Sequence, residues 1–250
     1  MLNNLYNVYI GGTIMYEIIA NLLKESKKTI IITGNGINID LQNIENKINI
    51  DKKTYDESLK KDDNKFINYY RDILKQISVN KPNKAHDIIE KWKDKNIIDL
   101  IITQNIDGYH GIKNVIELHG NIDNFYCVDC KKKFNSKYYQ KSHKCNNVND
   151  DINTKCCGVL RPNIVLNGET PKHLELALFN IYKSDIVLII GNEMNSSHIN
   201  KLSVIAKESG AKLIAINKEP IESISSYIDY FIYEEDIIKS LETLNDLISS

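Results

Sequence analysis

Residues 103–120 read T-Q-N-I-D-G-Y-H-G-I-K-N-V-I-E-L-H-G. Gln104, Asn105 and Asp107 place two carboxamides and a carboxylate close together, and His119 adds an imidazole that ionises near neutral pH. Such a set can bind a polar small molecule and move a proton. The residues before it, 96–102, are apolar and rich in isoleucine, with the length of a buried parallel strand. Polar groups at the carboxyl end of such a strand lie where open α/β sheets take their ligands.

Two more turns have the same placement. Gly34-Asn35-Gly36 ends the run 28–33, and Gly191-Asn192 closes 185–191, the clearest strand in the chain. Asn217 is a third polar group at a strand end, after 212–216. Small residues in such turns let backbone amides approach a pyrophosphate. One G-x-G alone reads equally well as an ordinary tight turn; three strand ends at one sheet edge make a stronger case.

The five cysteines suggest a different chemistry. Cys127-x-x-Cys130 is a knuckle whose thiolates can grip one tetrahedral ion. Cys145 stands alone, with His143 as its alternative, and Cys156-Cys157 are adjacent. Neighbours on extended chain point to opposite sides, so one of that pair binds. Four protein ligands leave no open position, which makes the expected zinc site structural. The competing reading is a set of free thiols in a surface loop.

The elements that must hold these groups alternate along the chain. Helices are expected near 14–25, 66–78, 84–93, 174–183, 199–209 and 235–248, and strands at 28–33, 96–102, 162–166, 185–191 and 212–217. That alternation implies βαβ units and an α/β fold with a doubly wound parallel sheet. The polar segment 38–64 has little periodicity and reads as a mobile loop. At 250 residues with 42% hydrophobic content, the chain can bury a sizeable core. A net charge of −1 implies no broad attraction to nucleic acid or anionic membrane. No apolar run approaches the roughly 20 residues of a membrane span, and no secretory leader is evident, so a cytoplasmic protein is expected.

T-Q-N-I-D followed by E-L-H-G resembles the signature of the sirtuins, NAD-dependent protein deacylases. The resemblance covers nearly the whole chain. It includes Pro82-Asn83-x-Ala85-His86, Leu160-Arg161-Pro162-Asn163-Ile164-Val165, Gly168-Glu169-x-Pro171 and Ile216-Asn217. It implies a Rossmann-like NAD-binding domain from residues 1–120 and 161–250, with a loop-and-helix insert at 38–80, and a zinc-binding module at 121–160.

The resemblance also implies roles. The acyl-lysine oxygen attacks the nicotinamide ribose carbon as nicotinamide leaves, and His119 then takes a proton from a ribose hydroxyl. Asn105 positions the ribose or a water, and Asp107 contacts the carboxamide of nicotinamide. Gln104 orients the ribose hydroxyls, Gly34, Asn35 and Gly36 sit at the diphosphate, Gly191 and Asn192 line the cofactor, and Asn217 meets the adenosine ribose. The family run C-G-G-x-L-R-P aligns Cys156 as the fourth zinc ligand after Cys127, Cys130 and Cys145. The implied substrate is an acylated-lysine protein or peptide, with His86, which is buried and hydrogen-bonded, serving the architecture. His110, His173 and His198 carry no motif and are expected at the surface.

Several positions depart from the family pattern. The usual P-D-F-R segment is absent after Ile37, and Asn35 stands where alanine is usual. Asn192-Glu193 replaces T-S, so a bound phosphate requires Glu193 to turn outward or meet a cation. Asn167 replaces an aromatic, and the spacer after Asp107 is short. Two other readings therefore stay open. One is an NAD glycohydrolase or ADP-ribosyltransferase, which Asn167 favours. The other is a catalytically impaired sirtuin fold that binds a nucleotide or partner, which Glu193 and the missing arginine favour.

Overall fold

The computed structural model describes residues 12–38, 55, 57, 64–149, 154–194 and 197–250. Apart from Asn38, Tyr55, Glu57 and Asn64, the expected 38–64 loop lies outside the described residues.

Six parallel strands form the main sheet: β1 (Thr29–Thr33), β2 (Leu100–Thr103), β3 (Val115–Glu117), β9 (Ile186–Ile190), β10 (Lys212–Asn217) and β11 (Tyr230–Tyr233). Their spatial order is β11-β10-β9-β1-β2-β3. The chain winds outward from β1 through β2 to β3, then returns beside β1 and winds the other way. This is the strand order of the doubly wound dinucleotide-binding fold, and its crevice falls between β1 and β9. β1 and β9 are buried at all five positions, as expected of isoleucine-rich strands covered on both faces. Register pairs Thr33 with both Thr103 and Ile190, so the three central strands end level with one another.

Helices pack on both faces. On one side, α1 (Thr13–Glu25), α3 (Lys84–Asp94) and α7 (Ile237–Ser249) bury Ile19, Leu23, Trp92 and Leu241 against Ile31, Ile101 and Leu188. On the other, α5 (Leu174–Tyr182) and α6 (Ser197–Glu208) bury Ile181 and Leu202 against Ile30, Val187 and Ile189. The entry of α3 is fixed by a capping box, with Asn83 Oδ1 accepting from the Ala85 amide at 3.0 Å and the Asn83 amide donating to His86 Nδ1 at 3.2 Å.

The long connection from β3 to β9 builds a second layer. Strands β4 (Gly120–Cys127), β5 (Lys133–Asn135) and β8 (Leu160–Ile164) form an antiparallel sheet in the order β5-β4-β8. A short helix α4 (Ser136–Lys141) and a small ribbon of β6 (Val148–Asn149) and β7 (Thr154–Lys155) complete it. Helix α2 (Asn64–Val79) contributes Tyr70, Ile73 and Leu74 to a core shared with Phe125, Cys127, Tyr139 and Leu160.

Three expectations change. The strand expected at 96–102 begins at Leu100, because Asn96 adopts φ 56° and the Ile97 amide turns back to the Trp92 carbonyl at 2.8 Å. The strand expected at 162–166 is Leu160–Ile164, and it pairs with β4 instead of the parallel sheet. β3 and β11 were not expected: each is short and stands at a sheet edge, where burial imposes a weaker apolar pattern.

Candidate active site

The carboxyl ends of β1 and β9 carry turns that pack directly on each other. The Gly36 amide donates to the Gly191 carbonyl at 2.7 Å, and the Gly34 amide reaches the Ile190 carbonyl at 3.3 Å. A Cβ on Gly34 would lie 2.8 Å from the Asn192 side chain, and one on Gly36 would lie 2.6 Å from Gly191 Cα. These glycines are therefore required by the contact between turns. Their missing side chains face protein, so the close packing of the two turns by itself calls for glycine. Asn192 stitches the same junction, donating to the Thr33 carbonyl at 3.1 Å and accepting from the Met194 amide at 2.8 Å. Glu193 is exposed, so its side chain turns away from this junction. Asn217, at the end of β10, is buried and donates to the Glu219 carbonyl at 2.8 Å.

After β2 the chain turns across the same edge. Asn105 is buried; its amide donates to Thr103 Oγ1 at 3.0 Å and its Nδ2 to the Gly34 carbonyl at 3.2 Å. Asn105 Oδ1, Asn35 Oδ1 and Gln104 Nε2 are buried atoms left without a hydrogen-bond partner. Buried polar atoms normally find partners. Three such atoms on adjoining turns indicate a place where a polar ligand fits, and a dinucleotide supplies matching donors and acceptors.

His119 lies between β3 and β4, half-buried, with its carbonyl accepting from the Val165 amide at 2.9 Å. Burial lowers its pKa, and the nearby Gln104 backbone acts the other way. A neutral imidazole keeps one ring nitrogen able to accept a proton. Asp107 is also buried. Its Oδ1 accepts from the Tyr109 amide at 2.8 Å and its Oδ2 from Asn38 Nδ2 at 2.5 Å; burial raises its pKa, against those two bonds.

His110 is not at the surface, as had been expected. Its Nε2 lies 2.9 Å from Thr33 Oγ1, which donates to Thr103 Oγ1 at 2.9 Å, and its ring is 5.0 Å from that of His86. Desolvation pushes His86 down to about 4 and His110 down to about 3, so both are neutral at pH 7. A buried chain of contacts thus runs from His86 through His110, Thr33 and Thr103 to the Asn105 amide. His173 is exposed and His198 is half-buried.

Beyond His119, Arg161 and Glu169 pair at 2.6 Å, and Glu169 Oε2 also accepts from the Leu166 amide at 3.0 Å. Lys172 donates to the carbonyl of Asn163 at 2.8 Å and to its side chain, and burial with the nearby Arg161 brings its pKa down to about 8. These bonds tie down both sides of the loop containing Asn167. The sequence reading attached no side-chain role to Arg161, Lys172 or Asn38, because their partners lie on other turns.

The sulfurs of Cys127, Cys130, Cys145 and Cys156 all lie within 4.8 Å of one another, with Cys127–Cys156 and Cys130–Cys145 each at 3.6 Å. An ion about 2.3 Å from each of four tetrahedral sulfurs sets them roughly 3.8 Å apart, so the donor set fits zinc. Asn147 adds a backbone N–H to Cys145 Sγ at 3.4 Å, of the kind that supports a thiolate. Cys157 is exposed and outside the cluster, and the half-buried His143 is outside it as well.

Comparison with known proteins agrees with this geometry. The family described as Sir2 matches residues 34–197. An NAD-dependent protein deacetylase of Saccharolobus solfataricus is 34% identical over 248 residues, covering 94% of this chain and 100% of that protein. Another, from Oceanobacillus iheyensis, is 31% identical over 242 residues, covering 91% and 99%. A solved structure described as a Sir2, p53 peptide and NAD+ complex is 28% identical with a TM-score of 0.70, covering 90% of this chain and 95% of that one. Among the described residues no helix is long and apolar enough to cross a membrane. With the signature turns, the four-thiol cluster and these full-length matches in agreement, the chain belongs to the Sir2 family.

Proposed function

We propose that the protein is an NAD-dependent protein-lysine deacylase that transfers the acyl group to ADP-ribose and releases nicotinamide. The observation that carries this reading is the group of unpartnered buried atoms on Asn35, Gln104 and Asn105, at the strand ends that His119 follows. Bound NAD supplies the electrophilic ribose carbon and the hydroxyl that receives the acyl group.

The residues of this chain do the rest. Gln104 Nε2 and Asn105 Oδ1 hold the ribose edge, the one donating and the other accepting. Asn105 is fixed for this by its bond to Gly34, so little ordering is left to be done on binding. Asp107 accepts from the carboxamide of the leaving nicotinamide, using lone pairs not taken by Asn38 and Tyr109. His119 takes the ribose hydroxyl proton on a ring nitrogen, and the lowering of its pKa by burial favours the uncharged base at neutral pH. Asn217 meets the adenosine end from β10. The acyl-lysine segment lies along the loop after β8, which Arg161–Glu169 and Lys172–Asn163 hold in shape. Zinc on Cys127, Cys130, Cys145 and Cys156 holds the antiparallel layer together and takes no part in the reaction.

The test is nicotinamide release from NAD with and without an acetyl-lysine peptide, in the unaltered protein and in His119→Ala. Release that needs the peptide, and whose continuation beyond one turnover needs His119, supports the assignment. Release without peptide would make the protein a glycohydrolase, and the absence of release from zinc-loaded, folded protein would leave a nucleotide-binding role.

A further inference from the structure

Asn38 leaves the Gly34–Gly36 turn, and Asp107 leaves β2; 69 residues separate them in sequence. Their side chains nonetheless meet at 2.5 Å, and both are buried, at 3% and 8% exposure. The two oxygens of Asp107 are thus held from opposite sides, Oδ1 by a backbone amide and Oδ2 by a side chain. The backbone bond to Tyr109 is local and any residue at 109 other than proline supplies it. The Asn38 bond depends on the identity of one side chain. It also depends on length, since a serine at this position would stop about one bond short of the carboxylate.

The geometry points to Asn38 as the positioning residue for Asp107: its Nδ2 orients the carboxylate toward the nicotinamide end of the site and keeps it ionised. This inference rests on the deacylase reading and assigns a specific residue to its leaving-group end. The physical argument has two parts. A carboxylate buried among apolar neighbours tends to take up a proton, and a protonated Asp107 would present an O–H in place of one of its acceptors. A donated N–H opposes that protonation and, at the same time, fixes the plane of the carboxylate. Among the described residues, the other ionisable groups that act on Asp107 are Glu117, whose own pKa is raised, and the Tyr109 phenol, and neither supplies a compensating positive charge. The remaining support for the ionised form is the pair of hydrogen bonds.

The experiment uses zinc-loaded full-length protein with 13C-labelled aspartate carboxyls, with Asp107→Asn locating the resonance. The Asp107 titration midpoint is followed in the unaltered protein, in Asn38→Ala and in Asn38→Ser. Loss of one charge-assisted hydrogen bond is expected to raise the midpoint by about one pH unit. In parallel, inhibition of turnover by added nicotinamide is measured, and the variants are expected to need about ten-fold more nicotinamide. Thermal midpoint and zinc content check that the fold is intact; if Asn38→Ala fails to fold, Asn38→Ser decides the matter. An unmoved Asp107 midpoint, or unchanged nicotinamide inhibition, overturns the inference. Absence of turnover in the unaltered protein would count against the deacylase reading instead, and the carboxyl titration, which needs no turnover, would still decide the Asn38–Asp107 bond.

Discussion

Gly36 donates its amide to the carbonyl of Gly191 at 2.7 Å, so the turns after β1 and β9 share a hydrogen bond across the crevice of the sheet. The contact leaves no room for a side chain, because a Cβ on Gly36 would meet Gly191 Cα at 2.6 Å. Gly36→Ala must push the two turns apart, and backbone on both sides resists. Such overpacking costs about 1–3 kcal/mol, equivalent to a fall of roughly 2–10 °C in thermal midpoint for a domain of this size. Calorimetry checks the stability, and NAD titration checks the site, where weaker binding is expected as the strand ends separate.

The zinc cluster separates two adjacent cysteines. Cys156 Sγ lies 3.6 Å from Cys127 Sγ, whereas Cys157 points outward and is exposed. Cys156→Ser is expected to reduce bound zinc well below one equivalent and to lower the thermal midpoint. Cys157→Ser should leave both unchanged. Metal analysis of the purified variants reads the difference, which is large because a structural zinc in small sites is worth about 10–16 kcal/mol.

Acid should weaken the fold through the buried histidine pair. His86 and His110 have folded pKa values of about 4 and about 3, below the unfolded value of 6.5. Between those limits the unfolded chain binds more protons, so stability rises with pH and is lost as pH falls below 6.5. Each histidine contributes a slope of about 1.4 kcal/mol per pH unit in that window. Asp107 and Glu117, raised by burial, oppose the trend in their own range, so the difference between proteins is the useful quantity. His110→Gln should flatten the slope between pH 6.5 and 4 by about one histidine's share. Denaturant titrations at several pH values measure it.

For His119 the same reasoning concerns rate. Its pKa is lowered by burial, so the neutral base persists below pH 6.5 and is lost only as pH falls through the lowered value. The acid limb of kcat/KM for the acyl peptide should therefore have its midpoint below 6.5 and vanish in His119→Ala. A limb centred above 6.5 would contradict the assignment of this imidazole as the base.

The sequence was most informative where burial imposes a pattern. Ile186–Ile190 is apolar throughout and Lys212–Asn217 is apolar between its two ends because helices cover both faces, and both were legible as strands with their turns. Alternation of helix and strand was enough for the fold class. What was not legible depends on pairs distant in the chain. His110 has no motif of its own to mark it as buried; Thr33, on another strand, makes it so. Asn38 is unremarkable until two turns bring it to Asp107. Helix α2 was expected to belong with the NAD-binding part, yet Tyr70 and Ile73 pack into the core beneath the cysteine layer. The glycines were readable as a tight turn, but what they face is a neighbouring glycine turn, and topology alone determines that.

The most direct test of the central claim is to follow the acyl group itself. Zinc-loaded protein is incubated with NAD and a peptide carrying 13C-acetyl-lysine, and the products are weighed by mass spectrometry. Deacylation predicts deacetylated peptide, nicotinamide and an ADP-ribose carrying the labelled acetyl group, in equal amounts, with neither deacetylated peptide nor acetylated ADP-ribose accumulating in His119→Ala. Free ADP-ribose with the labelled peptide intact, or no product at all, would contradict it.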